Sequence, residues 1–317
     1  MRLLLIIFLL FWTSQVAVKG QHDAQFSQNM FNLLTINPGY AGMSDAVNLQ
    51  AISRQQWVGT DGRPKTTVFG GDAPVSFFGQ EIGVGLSFYN DQIGFLNDIS
   101  FQTSFSYKID LGEGRLGAGI KLGVVNQTLK PTWYVPTVNG QTDFFSGTDP
   151  GLIDKEGSGT LFDGGLGLFY QQKGWYAGIS GLHLFNKGKE FDNGYFTYFR
   201  KTWYFTGGYD IKSKNKSYVW KPSILIKTDG ASIQSDFNLN VLINKKYWGG
   251  MSYRIQDAIV LLGGIELKSG LKIGYSFDIP ISVYGRNSSG SHELSIGYLF
   301  DLNFEKKSKR YKSVRYL

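Results

Sequence analysis

The sequence predicts an all-β fold, a transmembrane antiparallel β-barrel of about 14 strands with short turns at one end and longer outer loops at the other. Three observations predict it. Stretches of about ten residues alternate apolar and polar side chains, the period a strand needs to face lipid outside and a polar lumen inside. The connections between them alternate between tight and long. No apolar run reaches the roughly 20 residues of a spanning helix, so any membrane crossing must use strands.

The clearest stretch is Arg115 to Gln127. Leu116, Ala118, Ile120, Leu122 and Val124 fall on one face, and Gly117, Gly119, Lys121 and Gly123 on the other. By the same pattern, strands begin near Val47, Thr66, Ile82, Ile99, Arg115, Phe162, Trp175, Thr202 and Lys221. The rest begin near Ser235, Tyr247, Ala258, Leu271 and Glu293. An even count puts both termini on the periplasmic side.

The tight links are Gly112-Glu113-Gly114, Gln172-Lys173-Gly174, Asn244-Lys245 and Lys268-Ser269-Gly270. Between them lie Thr128 to Leu161, Leu184 to Lys201 and Asp278 to His292. Counted from Val47, these tight links fall at the periplasmic end and the long ones outside, with short outer links such as Gln256-Asp257 as exceptions. Lysines collect in or near the periplasmic turns: Lys173, Lys212, Lys214, Lys216, Lys245 and Lys268. They either keep turns solvated or form, with the basic tail, a docking surface for an acidic partner. Interfacial belts are expected at Trp175-Tyr176, Trp203-Tyr204, Tyr218, Trp220 and Tyr247-Trp248. The final stretch, Ser295-x-Gly297-x-x-Phe300-x-Leu302 running into Phe304, is similar to the terminal signal read by barrel-assembly machinery.

Composition agrees. There are 41 glycines among 317 residues, against a usual share of about 7%. With 24 Phe, 18 Tyr and 7 Trp, they fit a lumen of small residues ringed by aromatics. Met1 and Arg2 precede the apolar run Leu3 to Trp12, with Val18 and Gly20 small enough to precede a cleavage site. Residues 1–20 therefore read as a signal peptide, 21–45 as a periplasmic or plug-like segment, 46–304 as the barrel and 305–317 as a basic periplasmic tail. Of the formal charge of +7, Arg2 and Lys19 supply two. Lys306, Lys307, Lys309, Arg310, Lys312 and Arg315, less Glu305, supply five, and the body is neutral. A neutral body argues against nucleic acid as a partner.

No catalytic, cofactor or metal site is expected. Cysteine is absent, and His22, His183 and His292 have no ligand spacing. Neither a G-x-S-x-G elbow nor an S-x-x-K pair with supporting motifs appears. Gly83-x-Gly85 and Gly117-x-Gly119 sit inside strands, where glycine keeps the lumen open or lets neighbours approach. Asp143, Asp149, Asp154, Glu156 and Asp163 cluster about the longest outer loop. They read as a solvated acidic loop, a bound cation being the alternative.

The most specific residues lie near the expected mature N-terminus. Gln25-Phe26-Ser27-Gln28-Asn29-Met30-Phe31-Asn32 is followed by Asn37-Pro38-Gly39-Tyr40-Ala41-Gly42, then Arg54-Gln55-Gln56-Trp57-Val58-Gly59 and Pro64-Lys65-Thr66. Further on come Asn90-Asp91-x-Ile93-Gly94, Trp248-Gly249-Gly250-x-Ser252-Tyr253-Arg254, Gly274-Tyr275-Ser276-Phe277-Asp278 and Ser288-Ser289-Gly290-Ser291-His292-Glu293. This ordered set resembles the PorP/SprF family of Bacteroidetes outer-membrane proteins associated with type IX secretion. Gly39 stands where the family most often has alanine. Gln25, Phe26, Asn37, Pro38, Tyr40, Gly42, Arg54, Gln56 and Trp57 are matched motif residues without an assigned role.

The resemblance implies a protein-secretion accessory in the outer membrane, embedded in its lipids, helping cargo such as gliding-motility adhesins to the surface. Periplasmic ring components and the secreted cargo are the implied partners. Phe26, Met30, Phe31, Leu33 and Leu34 are too apolar for a free tail, so residues 21–44 should be buried, as a partial plug or as a cap on the barrel base. The basic tail is the candidate docking site for the machinery. The rival reading is a passive porin or small-molecule transporter, which a large polar-lined barrel suits equally.

Overall fold

The computed structural model describes residues 23–131, 156–191, 194, 196–215, 217–283 and 285–300. Its first half carries strands β1 (Val47–Gln55), β2 (Lys65–Phe77), β3 (Gln80–Ile93), β4 (Leu96–Leu111), β5 (Gly114–Leu129), β6 (Gly157–Gln172) and β7 (Trp175–Leu182). A small hairpin, β8 (Lys189–Glu190) and β9 (Phe196–Thr197), sits in the next connection. Then follow β10 (Thr202–Tyr209), β11 (Ile211–Lys212), β12 (Tyr218–Thr228), β13 (Ile233–Ile243) and β14 (Tyr247–Arg254). The last are β15 (Ala258–Glu266), β16 (Leu271–Pro280) and β17 (Ser291–Phe300).

Fourteen of these strands form the wall; β8, β9 and β11 are accessory. Each wall strand pairs antiparallel with its neighbours, β10 bridges β7 to β12, and β1 closes the ring on β17 from Val47↔Phe300 to Gln55↔His292. Closure gives every wall strand among the described residues a partner on both sides, as strands in lipid require.

One end of the wall has tight turns except at β10–β12, where β11 lengthens the link. At β2–β3, Phe78 and Gly79 both take positive φ (48° and 76°), the backbone of a two-residue hairpin matched to strand twist. The other end has the long links, but also short ones at Gly94-Phe95, Asp229–Ser232 and Ile255–Asp257. Link length therefore alternates less strictly than sequence suggests. Residues 132–155, with Asp143, Asp149 and Asp154, lie outside the described residues. So do Lys216, the expected signal peptide and the tail residues Lys306, Lys307, Lys309, Arg310, Lys312 and Arg315.

Alternation sorts side chains between lipid and lumen. On β4, Ile99, Phe101, Phe105, Tyr107 and Ile109 are exposed on the outer face, and Ser100, Gln102, Ser104, Ser106 and Lys108 are buried inside. The same rule corrects the expected aromatic belts. Trp203, Tyr218, Trp220 and Tyr247 face outward, but Tyr176, Tyr204 and Trp248 are buried. Consecutive strand residues point to opposite faces, so Trp203-Tyr204 and Tyr247-Trp248 each give one ring to the belt and one to the lumen.

Residues 23–46 lie inside the ring and touch wall strands on every side. Their structure is a 3-10 turn (Asn29–Phe31), the one-turn helix α1 (Leu33–Ile36) and a second 3-10 turn (Pro38–Tyr40). A single helical turn does not persist alone; here the wall holds it. Three apolar clusters do so. Phe26 packs with Ile52 and Val68. Met30 and Phe31 pack against Trp248, Val260 and Leu262. Leu33, Ile36 and Met43 pack against Phe169, Tyr176, Leu182 and Tyr204. The lumen is thus not uniformly polar: its apolar islands lie under the apolar residues of this segment, and an empty barrel would leave them in water.

Candidate functional site in the barrel lumen

At the first contact, two buried arginines meet three buried carboxylates over one serine. Arg54 on β1 donates to Asp278 (2.7 Å), Glu293 (3.3 Å) and Ser27 Oγ (2.8 Å). Arg254 on β14 donates to Asp236 (Nε, 3.1 Å), Asp278 (2.9 Å) and the Phe26 carbonyl (3.4 Å). Ser27 Oγ donates to Asp278 (2.7 Å). Glu293 accepts the amides of Ser27 and Gln28, both at 2.8 Å. Every charge has a partner of opposite sign, the condition under which buried ions persist. Side chains of β1, β13, β14, β16 and β17 are thereby tied to one stretch of the segment.

The second contact is the hook Asn37 to Gly42. Pro38 opens its 3-10 turn, where a missing N–H is harmless. Asn37 caps that turn by accepting from Gly39 N (2.9 Å), and its amide donates to the Leu168 carbonyl (2.9 Å). Wall side chains then complete the backbone. Lys108 donates to the Gly42 carbonyl, Lys121 to the Thr35 carbonyl, Ser180 to the Ile36 carbonyl and Ser106 to the Gly39 carbonyl (3.1 Å). Asp72 accepts from Gly42 N (2.7 Å). The Tyr40 ring meets Phe169 edge-on at 5.2 Å. Glycines of the wall make the close approach possible: a Cβ on Gly83 would collide with the Ala41 carbonyl, and on Gly117 or Gly119 with the backbone of Gly39 or Pro38. Of the two roles sequence leaves open for these glycines, close approach is the one they serve. The fit also explains Gly39, where a Cβ would lie 2.6 Å from the Gly117 carbonyl oxygen.

The third contact holds the start of the described chain. His183, just past β7, lies between Asp23 (Nε2, 2.9 Å) and Asp163 of β6 (Nδ1, 2.9 Å). Tyr204 donates to Asp23 (2.6 Å), and Lys227 to its carbonyl (3.1 Å). Asp163 is therefore a buried partner within the wall, not part of a solvated acidic loop. Glu156 stays exposed, beside Lys130 at 3.1 Å.

Burial alone would raise the Asp23 carboxyl, but the His183 cation beside it holds it well below the usual carboxylate range. Burial alone would lower His183, but Asp23 and Asp163 push it up to about 10. Raised, His183 stabilises docking fully below its ordinary value of 6.5, and this is lost as pH rises through about 10. Lowered, Asp23 contributes above 3.8, and this is lost as pH falls through its depressed value. The start of the segment should stay docked at neutral pH and loosen toward pH 10. A spin label on Ala24→Cys, in a chain with 0 native cysteines, should report that mobility. Adding His183→Gln should make the label mobile already at neutral pH; an immobile label there would sink the assignment.

Of the matched motif residues, Phe26, Asn37, Pro38, Tyr40, Gly42 and Arg54 all act in these contacts, and half-buried Gln25 lines a small cavity. Gln56 and Trp57 do not join them. They lie in the β1–β2 link, where Gln56 N donates to the Pro64 carbonyl (3.0 Å) and Trp57 N to Ser291 Oγ (3.1 Å). Arg254, Asp278 and Glu293 were not singled out from sequence, although the matched motifs contain all three; His183 was weighed only as a metal ligand, and Asp236 was missed. Their shared signal is a charge on the inward parity of a strand or at its end. Two cavities border the segment, of about 30 Å³ and 50 Å³, room for a few waters at most. Among the described residues no group of His, Asp or Glu is arranged to hold a metal.

Comparison with known proteins adds the family. The family model described as type IX secretion system membrane protein PorP/SprF matches residues 18–298. No curated protein matches the chain. Among solved structures the chain is similar to the outer membrane protein Omp33 of Acinetobacter baumannii, at 7% identity and TM-score 0.46, covering 82% of this chain and 99% of that one. It is similar to the toluene transporter TodX of P. putida at 10% identity and TM-score 0.42, covering 85% and 94%. Outer membrane phospholipase A of Escherichia coli gives 9% identity and TM-score 0.36, covering 82% and 96%. With the family match running from ahead of the lumenal segment into β17, this outer-membrane β-barrel belongs to the PorP/SprF family of type IX secretion system membrane proteins.

Proposed function

We propose that the protein assists the export or surface attachment of particular type IX cargo, such as gliding adhesins, as a barrel closed by its own N-terminal segment. The observation that carries this reading is the filled lumen of a family member: apolar islands, buried ion pairs and glycine gaps in the wall all match residues 23–46. A lumen built to be occupied supports a docking role over passive conduction. The short-turn end faces the periplasm, as is usual for such barrels, and the long loops face the cargo outside. The tail residues Lys306, Lys307, Lys309, Arg310, Lys312 and Arg315 dock on periplasmic ring components.

Deleting the gene should remove one or a few large proteins from the surface or medium and strand them in the periplasm, as comparative proteomics of the fractions would show. An unchanged secretome would favour the small-molecule transporter instead. Removing only Lys306 to Leu317 should lower export of the same cargo while leaving the barrel in the membrane. Normal export by that variant would end the docking role of the tail.

A further inference from the structure

The short-turn end of the barrel is charged in two arcs. Four successive turns, β6–β7, β10–β12, β13–β14 and β15–β16, carry the exposed lysines Lys173, Lys212, Lys214, Lys245, Lys246 and Lys268. Among the described residues none of these lysines pairs with a carboxylate. The acids near the same turns are engaged elsewhere: Asp210 lies 2.9 Å from Lys221 and Glu266 lies 3.8 Å from Lys272. The remaining arc is acidic and bridged internally, with Arg115 at 2.6 Å from Asp45 and 3.5 Å from Glu81 and from Asp110.

Exposed turn lysines alone indicate solvation and nothing more. What indicates a ligand is their place on the wall. Tyr209, Tyr218, Trp220 and Tyr247 sit at the ends of the same strands and are exposed on the lipid-facing side. Outward Tyr and Trp at the end of an apolar belt mark the height of the lipid headgroups. Lys246 Nζ lies 4.8 Å from the centre of the Tyr247 ring, which puts an ammonium at that height. Ammonium groups there, with no carboxylate to satisfy them, meet lipid phosphates. We propose that the arc from the β6–β7 turn to the β15–β16 turn is a docking surface for the headgroups of anionic phospholipids in the adjoining leaflet.

The test uses the full-length barrel in nanodiscs of phosphatidylcholine with or without phosphatidylglycerol, reading retained lipids by native mass spectrometry. The wild type should retain phosphatidylglycerol preferentially at low salt and lose that preference as salt screens the lysines. A lysine near an anionic surface contributes about fivefold. The combined change Lys212→Gln, Lys214→Gln, Lys245→Gln and Lys246→Gln should therefore reduce the preference at least about tenfold. Lys187→Gln with Lys189→Gln, at the long-loop end, should leave it unchanged. Should the fourfold variant fail to assemble, the salt titration of the wild type decides alone. Equal retention of both lipids by the wild type, a salt-independent preference, or a preference kept by the fourfold variant would overturn the proposal. So would a wild type indifferent to lipid whose same lysines bind an acidic periplasmic protein.

Discussion

Replacing Arg254 with methionine is expected to destabilise the folded barrel by about 3–5 kcal/mol, the usual consequence of removing one partner from a buried ion pair. Arg254 is 1% exposed, spans the buried carboxylates of Asp236 and Asp278, and lies 3.6 Å from the half-buried Asp257. Asp278 would keep Arg54 at 2.7 Å, but among the described residues the one side-chain hydrogen bond left to Asp236 would be from the Asn29 amide at 3.4 Å. The carbonyl of Phe26 would also lose a donor. Urea unfolding in detergent, followed by the gel shift of the folded barrel, measures the change. Adding Asp236→Leu should restore much of the loss, because it removes the stranded charge. A single variant within about 1 kcal/mol of wild type would mean that water already reaches the cluster.

The second large effect is expected at Gly83. A methyl group there points into the Ala41 carbonyl, which is backbone and cannot rotate aside. Overpacking of this kind costs about 1–3 kcal/mol where a core can adjust. Here the cheapest adjustment is retreat of the hook from the wall. Gly83→Ala should therefore raise ion conductance through the lumen above that of the wild type, measured in planar bilayers. Gly249→Ala is the control, since its Cβ would meet nothing nearer than the Leu262 carbonyl oxygen at 3.5 Å. Unchanged conductance would show that the upper contacts, at Ser27 and Asp23, seal the lumen without the hook.

Strand positions were largely legible. The starts read at Val47, Trp175, Thr202, Tyr247, Ala258 and Leu271 are those observed. Others begin a few residues earlier, β6 at Gly157 and β12 at Tyr218, because backbone pairing continues after the side-chain pattern fades. The accessory strands β8, β9 and β11, of two residues each, are too short to show a period. The paired aromatics were misread because an aromatic signals a polar boundary without naming a face. Lys121 shows what a closer reading could use: a charge at the inward parity of an apolar stretch must find a partner inside, and it finds the Thr35 carbonyl.

The class of fold, the approximate place of most strands and the alternation of faces along each were thus readable from the chain alone. Those follow from alternation, which is local and enforced by backbone geometry from one residue to the next. The sequence also showed that Phe26, Met30 and Leu33 had to be buried. That the barrel itself buries them, and which side chains hold them there, emerges once the strands are assembled. Arg54 and Glu293 stand 239 positions apart and share Ser27 only because β1 closes on β17. Such a meeting depends on strand number, register and closure, which no short window of sequence contains.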